Sequence, residues 1–310
     1  MASTSGTTAF NLDLNDLVEE AFERCGKELR SGYDLRTARR SINLLTIEWA
    51  NRGINLWTVE QGQILMNSYQ AVYPLPVDTI DLLDQVTRTN NGSQSNQVDI
   101  NITRISESTY STIPNKNTNG RPIQVWINRQ TGFTPAVPTT TLAGNISAAD
   151  TTITLTDASG LPPVGFVNIG SETIGYQNVD STTGQLLNCF RGQNNTTAAS
   201  HADASAIYVN NLTTVNVYPA PQAPGNQYTL VYYRMRRIQD AGSGVNIQDI
   251  PFRLIPCMVA GLAFYLSQKI PGAEARMQWL KSEYEQQWLL ASQEDREKAS
   301  DRFVPRQLFY

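Results

Sequence analysis

The sequence predicts an α+β chain with helices at both ends and strands between them, and three observations predict it. Apolar residues recur at helical spacing near each terminus. Between those segments the period falls to two. A block almost without charge, residues 136–210, then interrupts what would otherwise be neighbouring strands. The architecture expected is a four-helix bundle assembled from N- and C-terminal helix pairs. It is joined to an antiparallel β domain, an inserted small all-β domain and an extended C-terminal arm.

Residues 1–56 supply the first helix pair. In "NLDLNDLVEEAFERCGKEL" the residues Leu14, Leu17, Val18, Ala21, Phe22, Cys25 and Leu29 form one stripe, with Asn11 or Asp13 placed to cap it. "SGYD" breaks the pattern. "LRTARRSINLLTIEWANRG" resumes it through Leu35, Ala38, Ile42, Leu45 and Trp49, and Gly53 is a natural stop. So short a break implies an antiparallel pair.

Residues 57–135 and 211–247 read as the β domain. "WTVEQGQILMN", "QAVYPLP", "IDLLDQVTRT", "NQVDINITRIS" and "PIQVWINR" alternate, with turn residues such as "NNGSQSN" between them. Residues 136–210 carry short β patterns bounded by Gly, Pro, Asn or Asp, as a small sandwich or barrel would. "PIQVWINR" before this block and "TTVNVYP" after it look like one hairpin opened at its tip. A folded insert is tolerated there because loop closure becomes costlier only slowly with length. Without the block, a meander through "YTLVYYRMRR" is expected.

Residues 248–299 supply the second helix pair. Phe252, Ile255, Val259, Leu262 and Leu266 keep helical spacing, with Pro251 suited to the first turn and Pro256 early enough to be tolerated. After "IPG", Ala273, Met277, Leu280, Tyr284, Trp288 and Ala291 form a second seam. Residues 300–310 lose this polarity and read as an extended arm. Its Arg302, Phe303, Val304, Pro305, Arg306, Leu308, Phe309 and Tyr310 are of the kinds enriched at interface anchors.

Composition narrows the function classes. The net charge is −4 and charged residues make up 17% of the chain. No basic domain suited to wrapping nucleic acid stands out. "RTARR" (36–40) and "RMRR" (234–237) read as solvated faces. Three scattered cysteines form no disulfide framework. "MASTSGTTAF" has no basic and apolar leader, so Sec-type export is not expected, and "LIPCMVAGLAFYL" is too short to span a bilayer.

The search for chemistry is mostly negative, and no catalytic, cofactor-binding or metal-binding residue is assigned. His201 is the single histidine, in the small-residue run "TTAASHADASA", where Asp203 is the one nearby acid. A catalytic histidine needs a rigid setting and an orienting partner, and one His with three distant Cys makes no usual zinc set. Asp78, Asp81, Asp84, Asp99, Glu107 and Glu172 are the candidates for two-carboxylate glycan cleavage. Each reads more simply as a turn or exposed strand residue. Neither a P-loop nor a dinucleotide-binding glycine motif is present. A receptor- or carbohydrate-binding component and a carboxylate-based murein hydrolase stay open as alternatives to a purely structural role. The aromatics of the block, Phe166, Tyr176, Phe190 and Tyr208, are expected in its core rather than in a groove.

"SINLLTIEWANRGINLW", "YPLPVDTIDLLDQVTR", "TTVNVYPAP…YTLVYYRMRR" and "DIPFRLIPCMVAGLAFYLSQK" occur in this order and spacing across residues 12–130 and 211–295. In this the chain resembles the head-to-tail adaptor proteins of short-tailed bacteriophages, also called tail tubular protein A or tail accessory factor. "IGSETIGYQNV" with "CFRGQNNTTAASHADA" resembles a small β module that recurs in phage virion proteins. The resemblance implies a dodecameric ring of this chain at the virion's head–tail junction, assembled in the host cytoplasm. It implies the portal protein and the tail nozzle protein as partners, with the C-terminal segment on the portal. Genomic DNA would pass through the lumen without specific binding, for which the acidic balance is suited. No cofactor, membrane or enzymatic activity is implied.

Overall fold

A computed structural model describes residues 6–7, 10–30, 32–54, 56–129, 134–222 and 227–295. The arm residues Arg302, Phe303, Val304, Pro305, Arg306, Leu308, Phe309 and Tyr310 lie outside them. Two compact units emerge. One is formed by the described residues up to Val59 together with those from Arg237 to Asp295, the other by the described residues of Glu60–Arg236.

The first unit holds α1 (Leu14–Arg24), α2 (Gly32–Arg52), α4 (Ile255–Ser267) and α5 (Met277–Glu294), whose apolar residues share one core. Asp13 caps α1 by accepting the Asp16 N–H at 2.9 Å. Gly26, at φ +77°, ends it, so α1 stops short of Leu29. α2 starts inside "SGYD" rather than after it.

The expected four-helix bundle is not what forms. The chain is β-rich, with eighteen strands in five sheets against five α-helices among the described residues. The helices also depart from bundle packing. In a bundle each helix gives one stripe to a shared seam, whereas ten of the thirteen residues of α4 are buried. α1, α2 and α5 each pack on α4, while α1 and α2 touch only slightly, so the core is centred on α4 and not on a seam shared by two helix pairs. The physical reason is visible in "IPCMVAGLAFYLS". Cys257, Met258, Ala260, Gly261 and Ala263 lie between the residues of the expected stripe and are apolar or small too. A helix apolar all round belongs in the middle. Phe252, counted in the stripe, is exposed in a 3₁₀ turn before α4.

Gly261 makes the central position workable. A Cβ there would stand 2.9 Å from Leu45 of α2 and 2.9 Å from Tyr284 of α5. A half-buried polar network lies beside the same contact. Trp49 Nε1 donates to Tyr284 Oη (3.2 Å), and Tyr284 and Tyr265 both donate to Glu48 (3.2 and 2.6 Å).

The second unit is all strand apart from the short α3 (Glu107–Ser111). One sheet runs β1 (Val59–Leu65), β18 (Tyr228–Arg236), β3 (Thr79–Thr89), β4 (Val98–Asn101). A second runs β2 (Val72–Pro74), β16 (Thr214–Tyr218), β7 (Gln124–Asn128), β5 (Thr103–Arg104), and β6 (Asn119–Gly120) pairs with β17 (Ala220–Pro221). Tyr73, Leu82, Val125, Val217, Leu230 and Tyr232 are among the buried residues of their common core. β7 and β16 pair antiparallel with Val217 opposite Val125 and Thr214 opposite Asn128. The meander does not continue beyond them: β18 lies in the other sheet. The prolines of "YPAPQAP" cannot donate to a ladder and end the strand.

The chain between β7 and β16 has its own core, centred on Leu142, Ile153, Val167, Ile174, Leu186 and Ile207. It is enclosed by a five-stranded sheet and a three-stranded one. The first runs β14 (Phe190–Gln193), β11 (Glu172–Tyr176), β10 (Gly165–Ile169), β15 (Ala206–Val209), β8 (Thr140–Thr141). The second runs β12 (Asn178–Asp180), β13 (Gln185–Leu187), β9 (Ile153–Thr154).

Candidate functional site

The only Glu, the only Arg and the only His of residues 136–210 meet at one point. β10 turns into β11 through Gly170 and Ser171, Gly170 taking φ +58° as tight hairpin turns require. Glu172 follows at once, facing inward and 1% exposed. β14 lies beside β11 and delivers Arg191, whose guanidinium grips the carboxylate with both arms, Nε–Oε1 at 2.8 Å and Nη2–Oε2 at 2.7 Å. The Gly192 N–H donates to Oε1 at 3.0 Å and the Ala199 N–H to Oε2 at 3.1 Å. His201 Nε2 completes the set, 2.8 Å from Oε2. A carboxylate only accepts, so this nitrogen carries the proton.

Burial works against the charge on Glu172. The bonds from Arg191, His201, Ala199 and Gly192 outweigh it and hold the carboxyl down at about 2. Arg191 also donates to the carbonyls of Ser147 and Ala199 (2.6 Å to the latter). Ile146 and His201 exchange backbone hydrogen bonds of 2.9 and 3.0 Å. The cluster therefore clasps the 145–150 loop and the 194–201 loop to the sheet. Every acceptor site on the carboxylate is occupied. The geometry leaves no base free to take a proton.

Two readings are corrected here. Glu172 is not an exposed strand residue, and His201 does not lie in an uncovered loop with Asp203 as its acid. Asp203 instead accepts the Gly144 N–H at 2.7 Å. The pairing spans 29 residues, which no local motif encodes. The available signal was compositional: a lone Glu, Arg and His in a charge-poor block have chiefly each other to pair with.

The other candidate acids do not converge. Asp78 pairs with Arg234 (2.6 Å), and Asp81 with Arg104 and Arg129 (2.8 and 2.6 Å). Asp99 pairs with Arg88 (2.7 Å), whose hydrogen bond lowers the Asp99 carboxyl. Asp84 and Glu107 are exposed. In "RMRR", Arg234 is buried between Glu60 and Asp78 and Arg236 binds Glu60, so this is not the solvated face expected. No group of three or more His, Cys, Asp or Glu is placed to hold a metal ion among the described residues. Cys25, Cys189 and Cys257 are free and buried, and burial raises their thiols to about 11, 12 and 12. Of the insert's aromatics, Phe166 and Tyr176 are buried, and Phe190 and Tyr208 are half-buried.

One aromatic surface was not foreseen. A cleft of about 300 Å³ lies between the two β cores, lined by Tyr110, Trp126, Phe166 and several asparagines. Tyr110 stacks on Trp126 (5.1 Å, 24°) and receives Lys116 Nζ at 5.4 Å from its ring centre. These rings are occupied by one another.

The helical unit exposes apolar side chains on two of its helices. Leu44 and Ile47 of α2 and Trp279, Leu289 and Leu290 of α5 are each about half exposed or more. Among the described residues no helix is long and apolar enough to cross a membrane. No family model and no curated protein matches the chain.

Proposed function

We propose that the chain is a structural virion protein: a head-to-tail adaptor that forms a ring between portal and tail nozzle, lengthens the DNA channel and recruits the tail. In this reading it performs no catalysis. The observation that carries it is the apolar surface of the helical unit. Trp279 and Leu290 are eleven residues apart on α5 and so share one face, about 16 Å apart. Leu44 and Ile47 lie one turn apart on α2. Aromatic and aliphatic side chains of this size, gathered on one helix face, are suited to an assembly surface. The order of sequence features shared with phage adaptors supports the same reading. The arm from Arg302 to Tyr310 is assigned to the portal on that resemblance.

The test is assembly. The purified chain, alone and mixed with the portal protein of its virus, is examined by mass photometry and electron microscopy. A ring of this chain seated on the portal is expected. Failure of the two proteins to associate overturns the reading.

A further inference from the structure

We propose that the acidic stripe of α1 and the basic stripe of α2 are the two halves of a single contact between neighbouring copies of this chain. The proposal rests on the ring-forming reading and names the surfaces that make the ring.

On α1, Asp16, Glu19 and Glu23 follow one another at spacings of three and four and are exposed. Their neighbour Glu20 is engaged by Arg24 at 2.9 Å, but these three carboxylates make no ion pair among the described residues. On α2, Arg36 and Arg39 likewise have no side-chain partner among the described residues, and Arg40 reaches only Thr37 Oγ1 at 3.4 Å. These arginines line a cleft with Tyr33 and Asn43. Arg40 and Tyr33 continue into a second cleft of about 700 Å³ that adds Lys27, Arg30 and Lys269. Within it Glu28 pairs with Arg30 (3.0 Å), and Asp34 accepts the Arg30 N–H at 3.4 Å. Burial and the Arg40 charge hold the Lys269 amine below its ordinary value.

The dipole favours Asp16 in the first turn of α1, but local helix energetics do not account for Glu19 with Glu23 or for the arginines of α2. Glu19 and Glu23 are like charges at i, i+4, as are Arg36 and Arg40, and such pairs oppose helix formation. Glu23 also sits in the last turn of α1. That is the end where the helix dipole disfavours a negative charge. Both arrangements are relieved when an opposite charge arrives from outside.

A second copy is the occupant that answers both stripes. A phosphate backbone would suit α2 and be repelled by α1. Residues 296–310 carry four Lys or Arg against two Asp or Glu, so they could answer α1 but not α2. Residues 1–9 are uncharged. Each stripe also has an exposed aromatic beside it, Phe10 at 73% by the acids and Tyr33 at 64% by the arginines, of the kind that anchors interfaces. Two different patches on one unit give a head-to-tail contact, and repetition of such a contact closes rings.

The experiment uses full-length R36E/R39E and E19R/E23R, studied by sedimentation velocity at low and high salt. Circular dichroism serves as the folding check. Each variant alone is expected to associate about tenfold or more weakly than wild type, since both of its stripes then carry one sign. Their equimolar mixture is expected to associate, because every contact in an alternating assembly is again opposite in charge, and high salt should undo it. A mixture that stays apart overturns the proposal, as does unchanged association of either variant alone. If R36E/R39E instead loses binding to a short DNA duplex while the mixture stays apart, the α2 stripe belongs to nucleic acid and the proposal falls. Rings on the portal that are indifferent to both variants remove these surfaces but leave the adaptor reading standing. A mixture that associates while wild type ignores the portal does the reverse.

Discussion

Two clusters of charge in this chain have opposite fates. Glu172, Arg191 and His201 are taken out of water and spend every acceptor of the carboxylate on one another and on the backbone. Asp16, Glu19 and Glu23 on α1, with Arg36 and Arg39 on α2, stay at the surface without an ion pair among the described residues. A buried ion must be paired where it stands, because desolvation leaves it no alternative. An exposed one can wait for a partner in water. The first cluster is therefore part of the fold, while the second is available to assembly.

The sharpest way to break the comparison is to remove one member of the buried set. Arg191→Met leaves the Glu172 carboxylate inside the sheet without its main partner. A loss of about 3–5 kcal/mol is expected in the unfolding of the sheet-bearing unit, read by chemical denaturation. The E172M/R191M double variant should recover much of that loss, since replacing both charges by apolar groups removes the unpaired ion. If the double variant is as unstable as R191M alone, the clasp acts through shape and not through charge pairing.

Acid separates the clusters by a second route. Glu172 has its folded value near 2, below the ordinary 4.5. Between these values the unfolded chain binds the proton and the folded chain does not, so stability rises with pH across that window. The contribution is fully present above about pH 4.5 and is lost as pH falls toward 2. It amounts to roughly 3 kcal/mol for the shift concerned. Denaturation midpoints measured from pH 5 down to pH 2 should fall more steeply in wild type than in E172Q, whose amide does not titrate. Parallel slopes would mean that Glu172 is not held down by the clasp.

How much of this was legible in the sequence depends on range. The amphipathic stripe of α1, its Asp13 cap and the β7–β16 pairing flanking the charge-poor block rest on local pattern, and they can be read from it. The centrality of α4 was also written in "PCMVAGLAF", but a stripe-counting eye selects the residues that fit and passes over the small ones between. The end of the meander was marked by the prolines after Tyr218. The Glu172–His201 contact was not legible by spacing, because 29 residues and a hairpin lie between them. The unpaired state of Arg36 and Glu23 could not be read at all. A charge run looks the same whether or not the fold supplies its counter-ion.

The smallest expected effect is the one that completes the contrast. Arg36→Ala with Arg39→Ala removes two cations that touch no partner within the described residues. For the isolated chain the change in stability should stay within about 0.5 kcal/mol. It should lean toward stabilisation at low salt, because removing Arg36 relieves the i, i+4 repulsion with Arg40. Salt should erase that small gain by screening. Thermal melts of the helical unit at low and high salt measure it. A loss of a kilocalorie or more would instead mean that the arginines hold the fold together from within, and the division between charges that build the chain and charges that await a neighbour would fail at this helix.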